Sequence, residues 1–186
     1  SSVGGVSGRM KACTWLLLGA LVLVGCQSQS EPPVSLTPSA APVSANLDWY
    51  NYMAPDGSFS VLFPKAPESV GKNATALVLA CPLDKQGSNL SLIGMALPQG
   101  LTAESLEKDP ARFFGKQVQL VKAQKGEWKG LPMLDVEMQV GPNRCWVKMI
   151  FAAPRLYQLV ALSAPGQDFA APRQSFFSSL QLTAKN

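Results

Sequence analysis

The chain has 186 residues, of which 47% are hydrophobic, and it contains no histidine. Because histidine is the most common general base and metal ligand, its absence argues against Ser-His and Cys-His hydrolases and against zinc enzymes. The formal net charge of +4 is too small to indicate nucleic-acid binding or strong attraction to a membrane surface. We therefore expect no catalytic residues, no metal site and no cofactor.

The chain opens with the pattern of an export signal. Residues 10–25 begin with Met10 and Lys11 and continue into an uncharged apolar segment, MKACTWLLLGALVLVG. This segment has the length of a signal-peptide hydrophobic region and is too short for a transmembrane helix. Residues 1–9 precede the methionine of this signal, and we interpret them as upstream residues that take no part in the fold.

The signal ends in Leu23-Val24-Gly25-Cys26, which resembles the lipobox of bacterial lipoproteins. In that family the small residues admit the signal peptidase, and the cysteine thiol carries a diacylglycerol. The resemblance predicts that Cys26 is lipidated and that its acyl chains hold the protein to a membrane. Gln27, where an aspartate would favour the inner membrane, favours the periplasmic side of the outer membrane in a two-membraned cell. The alternative is an ordinary signal peptide or an N-terminal membrane helix with a chance cysteine.

We predict that residues 26–46 consist of the lipidated cysteine followed by a flexible tether. The segment QSQSEPPVSLTPSAAPVSAN is rich in Ser, Pro, Ala and Gln and has no aromatic residue. Such a composition cannot bury enough apolar surface to offset the entropy of ordering. Residues 47–186 are then left to form a single domain.

The first half of this domain predicts a short strand followed by a hairpin. Residues 59–64 alternate in a way that places two phenylalanines and a valine on one face of a strand. Residues 74–83 are a nearly continuous apolar run, typical of a strand buried on both faces. Residues 90–97 follow turn-forming residues and are its predicted antiparallel partner.

A helix is predicted at residues 103–114, between Thr102 as its N-cap and Gly115 as its end. The pair Asp109-Pro110 would kink or split this helix, because proline is favoured only at a helix start. Acidic side chains at the start of a helix interact favourably with the helix dipole and with solvent. We therefore interpret Glu104, Glu107 and Asp109 as surface charges and not as catalytic residues.

Four strands and a second helix complete the predicted domain. The strands cover residues 118–124, 133–140, 145–152 and 156–162, and they are followed by a helix at 168–179 and an edge strand at 180–182. The last three long strands are joined by short turns and must be antiparallel neighbours. The order predicts an α+β domain with a mainly antiparallel sheet of six to seven strands and two helices packed on it.

The predicted domain keeps two cysteines, Cys81 and Cys145. Two cysteines in an exported domain favour one disulfide, because the compartment is oxidising. The alternative is a pair of buried free thiols that act as small apolar residues. The disulfide is the interpretation that we favour at the level of sequence.

A basic segment around residues 116–129 is the candidate interaction patch, with the members Lys116, Lys122, Lys125, Trp128 and Lys129. It would suit phospholipid head groups or an acidic partner. The favoured alternative is a solvated hairpin edge, because lysines keep sheet edges from pairing. Aromatic residues either line a ligand groove or cover the ends of the sheet and its core, and both interpretations stay open for Trp49, Tyr50, Tyr52, Trp128 and Trp146.

Three motifs follow one another along the domain: DGSFSV running into FPKAP at residues 56–67, LYQL at 156–159 and FFSSLQL at 176–182. Their order and spacing resemble the PsbP/Mog-type α/β/α sandwich of bacterial periplasmic proteins. The resemblance implies a binding or assembly factor rather than an enzyme, since PsbP-like proteins accompany photosystem II and Mog-type proteins bind a small GTPase. The matched positions are core positions, so no binding residue carries over.

These patterns lead us to expect a lipid-anchored periplasmic protein without catalytic activity. It would contact the membrane through acyl chains on Cys26, bind an envelope protein partner or support an envelope assembly, and bind no nucleic acid. The alternative is a carrier or sensor of a small apolar ligand or lipid. Exposed aromatic residues on one patch would indicate a protein interface, whereas an enclosed apolar cavity would indicate a ligand site.

Overall fold

The computed structural model describes residues 48–72, 76–115 and 117–183. The predicted signal, Cys26, the tether and Lys116 lie outside the described residues. In chain order the described elements are β1 (Tyr50–Met53), β2 (Phe59–Phe63), β3 (Glu68–Lys72), β4 (Ala76–Pro82), β5 (Asn89–Ala96), α1 (Ala103–Lys108), α2 (Ala111–Phe114), β6 (Gln119–Trp128), β7 (Leu131–Val140), β8 (Asn143–Ala152), β9 (Arg155–Ser163), α3 (Ala170–Ser179) and β10 (Gln181–Leu182).

The strands form two antiparallel sheets. The larger sheet has seven strands in the order β3-β4-β5-β9-β8-β7-β6. The smaller sheet has the order β1-β2-β10. The predicted α+β class, with a mainly antiparallel sheet of seven strands and helices packed on it, is confirmed.

The predicted first helix is split into α1 and α2 at the expected place. Thr102 caps α1, because its hydroxyl accepts the backbone N–H of Ser105 at 3.1 Å while the Ser105 hydroxyl accepts the Thr102 N–H at 3.0 Å. Pro110 caps α2, and Gly115 ends it with a φ of 85°, a conformation that favours glycine. The sequence thus places both boundaries of this segment correctly.

The core lies on both faces of the seven-stranded sheet. We call one side the α3 face, because the three-stranded sheet and α3 pack on it through Phe59, Val61, Phe63, Phe169, Phe176 and Leu180. The other side is the α1–α2 face, where the two short helices bury Leu106 and Phe114 against the sheet. The alternation of each central strand decides which side chains belong to which face.

The predicted disulfide between Cys81 and Cys145 is wrong. Both thiols are free and fully buried, with Cys81 on the α3 face and Cys145 on the α1–α2 face. Their strands, β4 and β8, are separated by β5 and β9, a distance of roughly 14 Å at about 4.8 Å per strand. A disulfide requires Cα atoms about 4.4–6.8 Å apart, so the alternative of two buried apolar thiols is correct.

A polar network ties the turn between β4 and β5 to the loop before α3. One carboxylate oxygen of Asp84 accepts the backbone N–H groups of Gln86 at 2.8 Å and Ser88 at 3.0 Å. The Ser88 hydroxyl donates to the side-chain oxygen of Gln167 at 2.8 Å and accepts the Ala164 N–H at 3.1 Å. These bonds fix the loop that leads into α3 and so help to set where this helix lies on the sheet.

Candidate functional site

A groove of about 330 Å³ opens between α3 and the α3 face of the sheet at β6, β7 and β8. The groove is partly open to solvent. Its lining residues are charged, amide or aromatic except for Val136, namely Lys122, Gln124, Asp135, Val136, Glu137, Trp146, Lys148, Arg173 and Phe177.

Strand register explains why this floor is polar. Residues directly opposite one another in antiparallel strands point to the same face. Two such rows run from β6 through β7 to β8, namely Lys122–Glu137–Trp146 and Gln124–Asp135–Lys148. The polar residues of β7 are those that the sequence predicts to face solvent. In the structure they lie beside polar residues of both neighbouring strands, β6 and β8.

The wall of the groove comes from one side of α3. The Arg173 guanidinium carbon lies 4.3 Å from the centre of the Trp146 ring, and the Lys148 ammonium lies 6.0 Å from the centre of the Phe177 ring. Residues four apart on a helix are separated by about 6 Å, close to the ~6.6 Å between alternate residues of a strand. The helix and strand therefore exchange two cation–π contacts, a cation from each over a ring of the other.

The two carboxylates of the floor are neutralised by cations of the sheet itself. The Lys148 ammonium lies 2.8 Å from one oxygen of Asp135 and 3.1 Å from the other. Glu137 forms an ion pair with Arg144. Among the described residues, Lys122 and Arg173 have no carboxylate partner, so the groove keeps an excess of positive charge.

The structure divides the predicted basic patch between two faces. Lys122 lies on the groove floor, but Lys125 is opposite Leu134 and so lies on the α1–α2 face. There its ammonium is 3.9 Å from a carboxylate oxygen of Glu107. Strand alternation separates lysines that the sequence places close together, so this set is not one surface.

The remaining members of that set lie at the turn after β6. Trp128 is half-buried against the core, and the Lys129 ammonium lies 4.7 Å from the centre of its ring and 3.4 Å from the Leu180 carbonyl. β6 is the last strand of the sheet. Lys122 and Lys125 therefore lie on the edge strand of the sheet.

Of the five aromatic residues singled out in the sequence, Trp146 lines the groove. Trp49, Tyr52 and Trp128 pack against the core, as the alternative interpretation expects, and Tyr50 is 46% exposed on β1. Sequence reasoning did not identify Arg173 and Phe177 as site residues. Their spacing of four residues on a predicted helix puts them on one side, but it does not say what that side contacts.

The buried thiols are poorly suited to nucleophilic chemistry at neutral pH. Burial raises the pKa of Cys145 to about 12. Burial also raises the pKa of Cys81, against the lowering effect of Lys65, and only the thiolate is a good nucleophile. Within the described ranges, no three acidic, cysteine or histidine side chains cluster so as to hold a metal ion. None of the helices described here is long and apolar enough to cross a membrane.

No protein-family model and no curated protein matches the chain at a significant level. Among solved structures, it is similar to cyanobacterial PsbP (CyanoP) from Synechocystis sp. PCC 6803, with 14% identity and a TM-score of 0.55 over 78% of this chain and 98% of that one. A protein from Bacteroides thetaiotaomicron VPI-5482 has 9% identity and a TM-score of 0.42 over 73% of this chain and 48% of that one. The protein of unknown function PA94 from Pseudomonas aeruginosa has 10% identity and a TM-score of 0.40 over 63% of this chain and 83% of that one. The likeness to CyanoP confirms the predicted PsbP-like fold.

Proposed function

We propose that this protein is a lipid-anchored envelope protein without catalytic activity, and that its groove binds a segment of a protein partner. The observation that carries the proposal is the open groove, whose lining holds Trp146 under the Arg173 guanidinium and two cations, Lys122 and Arg173, that have no carboxylate partner among the described residues. Arginine and tryptophan are the residues most enriched among those that dominate protein interfaces. A groove open along its length also suits a chain segment better than an enclosed small molecule.

The charged lining disfavours the alternative of a small apolar ligand. Such a ligand would cover Lys122 and Arg173, which have no carboxylate partner among the described residues, without offering hydrogen bonds to them, and burying unpaired charge is costly. A peptide segment offers backbone donors and acceptors to the same side chains. The groove therefore supports a protein-binding domain over a lipid carrier.

The proposal includes attachment to the membrane through acyl chains on Cys26. The lipobox-like residues before that cysteine support the lipid, and Gln27 supports the outer membrane as the destination. Labelling cells with a radioactive or clickable fatty acid tests this part. We expect label in the wild-type protein and none in Cys26→Ser, whereas equal labelling of both would contradict the anchor.

Photo-crosslinking from the groove tests the binding function. A benzoylphenylalanine at Gln124, on the floor, should give a discrete crosslinked partner in intact cells. The matched control carries the same group at Gln174, an exposed residue of α3 outside the groove lining. The adduct should disappear when the protein that carries benzoylphenylalanine at position 124 also carries Arg173→Glu. Equal adducts from both positions, or an adduct indifferent to Arg173→Glu, would contradict the groove as the binding site.

A further inference from the structure

β6 closes the seven-stranded sheet on one side and leaves a long open edge. The strand has ten residues, and eight of them are exposed. Leu120 and Val121 are 44% and 58% exposed near its start, where the pairing with β7 is interrupted by a bulge. An edge of this length presents backbone N–H and C=O groups to which another extended chain can bind.

One backbone donor of this edge is already engaged by a carboxylate of α1. The Lys125 N–H donates to one oxygen of Glu107 at 3.1 Å, while the Lys125 ammonium lies 3.9 Å from the other oxygen. This N–H therefore points away from β7. Because N–H directions alternate along a strand, those of Ala123 and Glu127 point the same way. The Glu107 carboxylate thus occupies the position that a backbone carbonyl would take if another strand paired with β6.

The charges along the edge select what kind of strand fits. Lys122 stands on the groove side and Lys125 on the other side, so a neighbouring strand meets a lysine on each face. A second copy of β6 offers one acid, Glu127, on the same face as Lys125, and none on the face of Lys122. A strand with acidic side chains would pair with both lysines, as Glu107 already does with one of them.

We propose that β6 accepts an extended acidic segment of a protein partner as an eighth strand of the sheet, and that this segment displaces the Glu107 carboxylate. Backbone hydrogen bonds to the outward N–H groups supply pairing, and the two lysines supply the preference for acidic side chains. The inference rests on the proposed function and deepens it, because Lys122 belongs to both the edge and the groove. Glu107 is then an internal competitor that weakens binding of neutral or poorly matched segments.

Peptide binding to the full-length chain in detergent tests this proposal. The probe is an end-capped, fluorescent heptapeptide of alternating glutamate and valine, and the matched control peptide has glutamine in place of each glutamate. We expect the acidic peptide to bind at least tenfold more tightly than the glutamine peptide. We also expect Glu107→Ala to tighten binding of the acidic peptide several-fold, since the competitor is removed. Equal affinity of the two peptides, or weaker binding to Glu107→Ala, would overturn the proposal.

One variant of β6 and one measurement on the unmutated chain separate strand pairing from simple charge attraction. Ala123→Pro removes an outward N–H that makes no bond to β7, and proline is tolerated at such edge positions. It should weaken peptide binding at least tenfold with an unchanged melting temperature. Amide exchange provides a second measurement in the unmutated chain, because the N–H groups of Ala123 and Glu127 should exchange more slowly when peptide is bound. Unchanged exchange at both positions would show that no strand is added, even if Ala123→Pro fails to fold.

Arg173→Ala distinguishes this inference from the proposed function. Arg173 belongs to the groove wall on α3 and is not part of the β6 edge. If the groove receives no partner, any adduct from Gln124 is indifferent to Arg173→Glu, and peptide binding at the edge survives Arg173→Ala. If the edge is closed to partners, Gln124 still crosslinks and the acidic peptide shows no dependence on Ala123→Pro.

Discussion

The two faces of β7 and β8 differ in almost every property although they share one backbone. On the α1–α2 face, six central side chains are apolar and at most 3% exposed, namely Leu134, Val136, Met138, Cys145, Val147 and Met149. On the other face, the residues between them carry charges and an indole ring that open into the groove. One side of this strand pair thus stabilises the fold while the other is free to bind. A shift of one residue along either strand moves a side chain from one role to the other.

Truncation on the buried face should have the largest effect. Leu134 is 0% exposed, so Leu134→Ala should lower the free energy of unfolding by about 2–5 kcal/mol, through lost transfer energy and a residual cavity. Urea denaturation measures this. The matched control on the other face of the same strand is Gln139→Ala, with an expected change below about 0.5 kcal/mol. Similar losses in the two variants would contradict the division between the faces.

The pH dependence of stability should report the burial of Cys145. Burial raises its pKa from the ordinary value of 9.0 to about 12, so the folded state holds the proton more tightly than the unfolded state. This contribution is complete below the unfolded pKa and is lost as pH rises from about 9 towards 12, at about 1.4 kcal/mol per pH unit. Urea denaturation between pH 7 and pH 10.5 should show a shallower decline in Cys145→Ala. Parallel declines in the two proteins would show that this thiol does not titrate on unfolding.

The groove wall should contribute least to stability. Arg173→Met keeps much of the side-chain length but removes the cation over Trp146, and we expect a loss of about 0.5–1 kcal/mol. Thermal or urea unfolding measures this change, with Gln174→Met as the control on the same helix. A loss as large as that of Leu134→Ala would mean that the groove is part of the structural core.

The sequence predicts the central strands well because their patterns are strong. β7 alternates apolar and polar residues, so its end at Val140 and its solvent-facing side follow from the sequence, although the strand begins two residues earlier than predicted, at Leu131. β6 is longer than the predicted 118–124, since its second half, Lys125 to Trp128, lacks any apolar alternation. β3 is not predicted for the same reason, because Glu68–Lys72 contains one large apolar residue. Edge strands bury little, so their sequences carry little of the signal on which such predictions depend.

The candidate site is predictable only in part. Local alternation indicates that Asp135 and Glu137 point to solvent. The position of Arg173 above them depends on how α3 packs on the sheet, and this packing is not encoded in the local sequence pattern. The disulfide prediction is wrong for a related reason. Two cysteines in one domain say nothing about which face of a sheet each one points to, and here Cys81 and Cys145 face opposite sides.

The three-stranded sheet can form completely only late in folding. β2 lies between β1, which precedes it directly, and β10, which is the last described element of the chain. Its second partner is thus about 120 residues away, and contacts so distant in sequence slow folding. A chain that emerges from its N-terminal end would leave one edge of β2 bare until Gln181 and Leu182 arrive. Folding of the domain would then finish only after nearly all of the described residues have emerged.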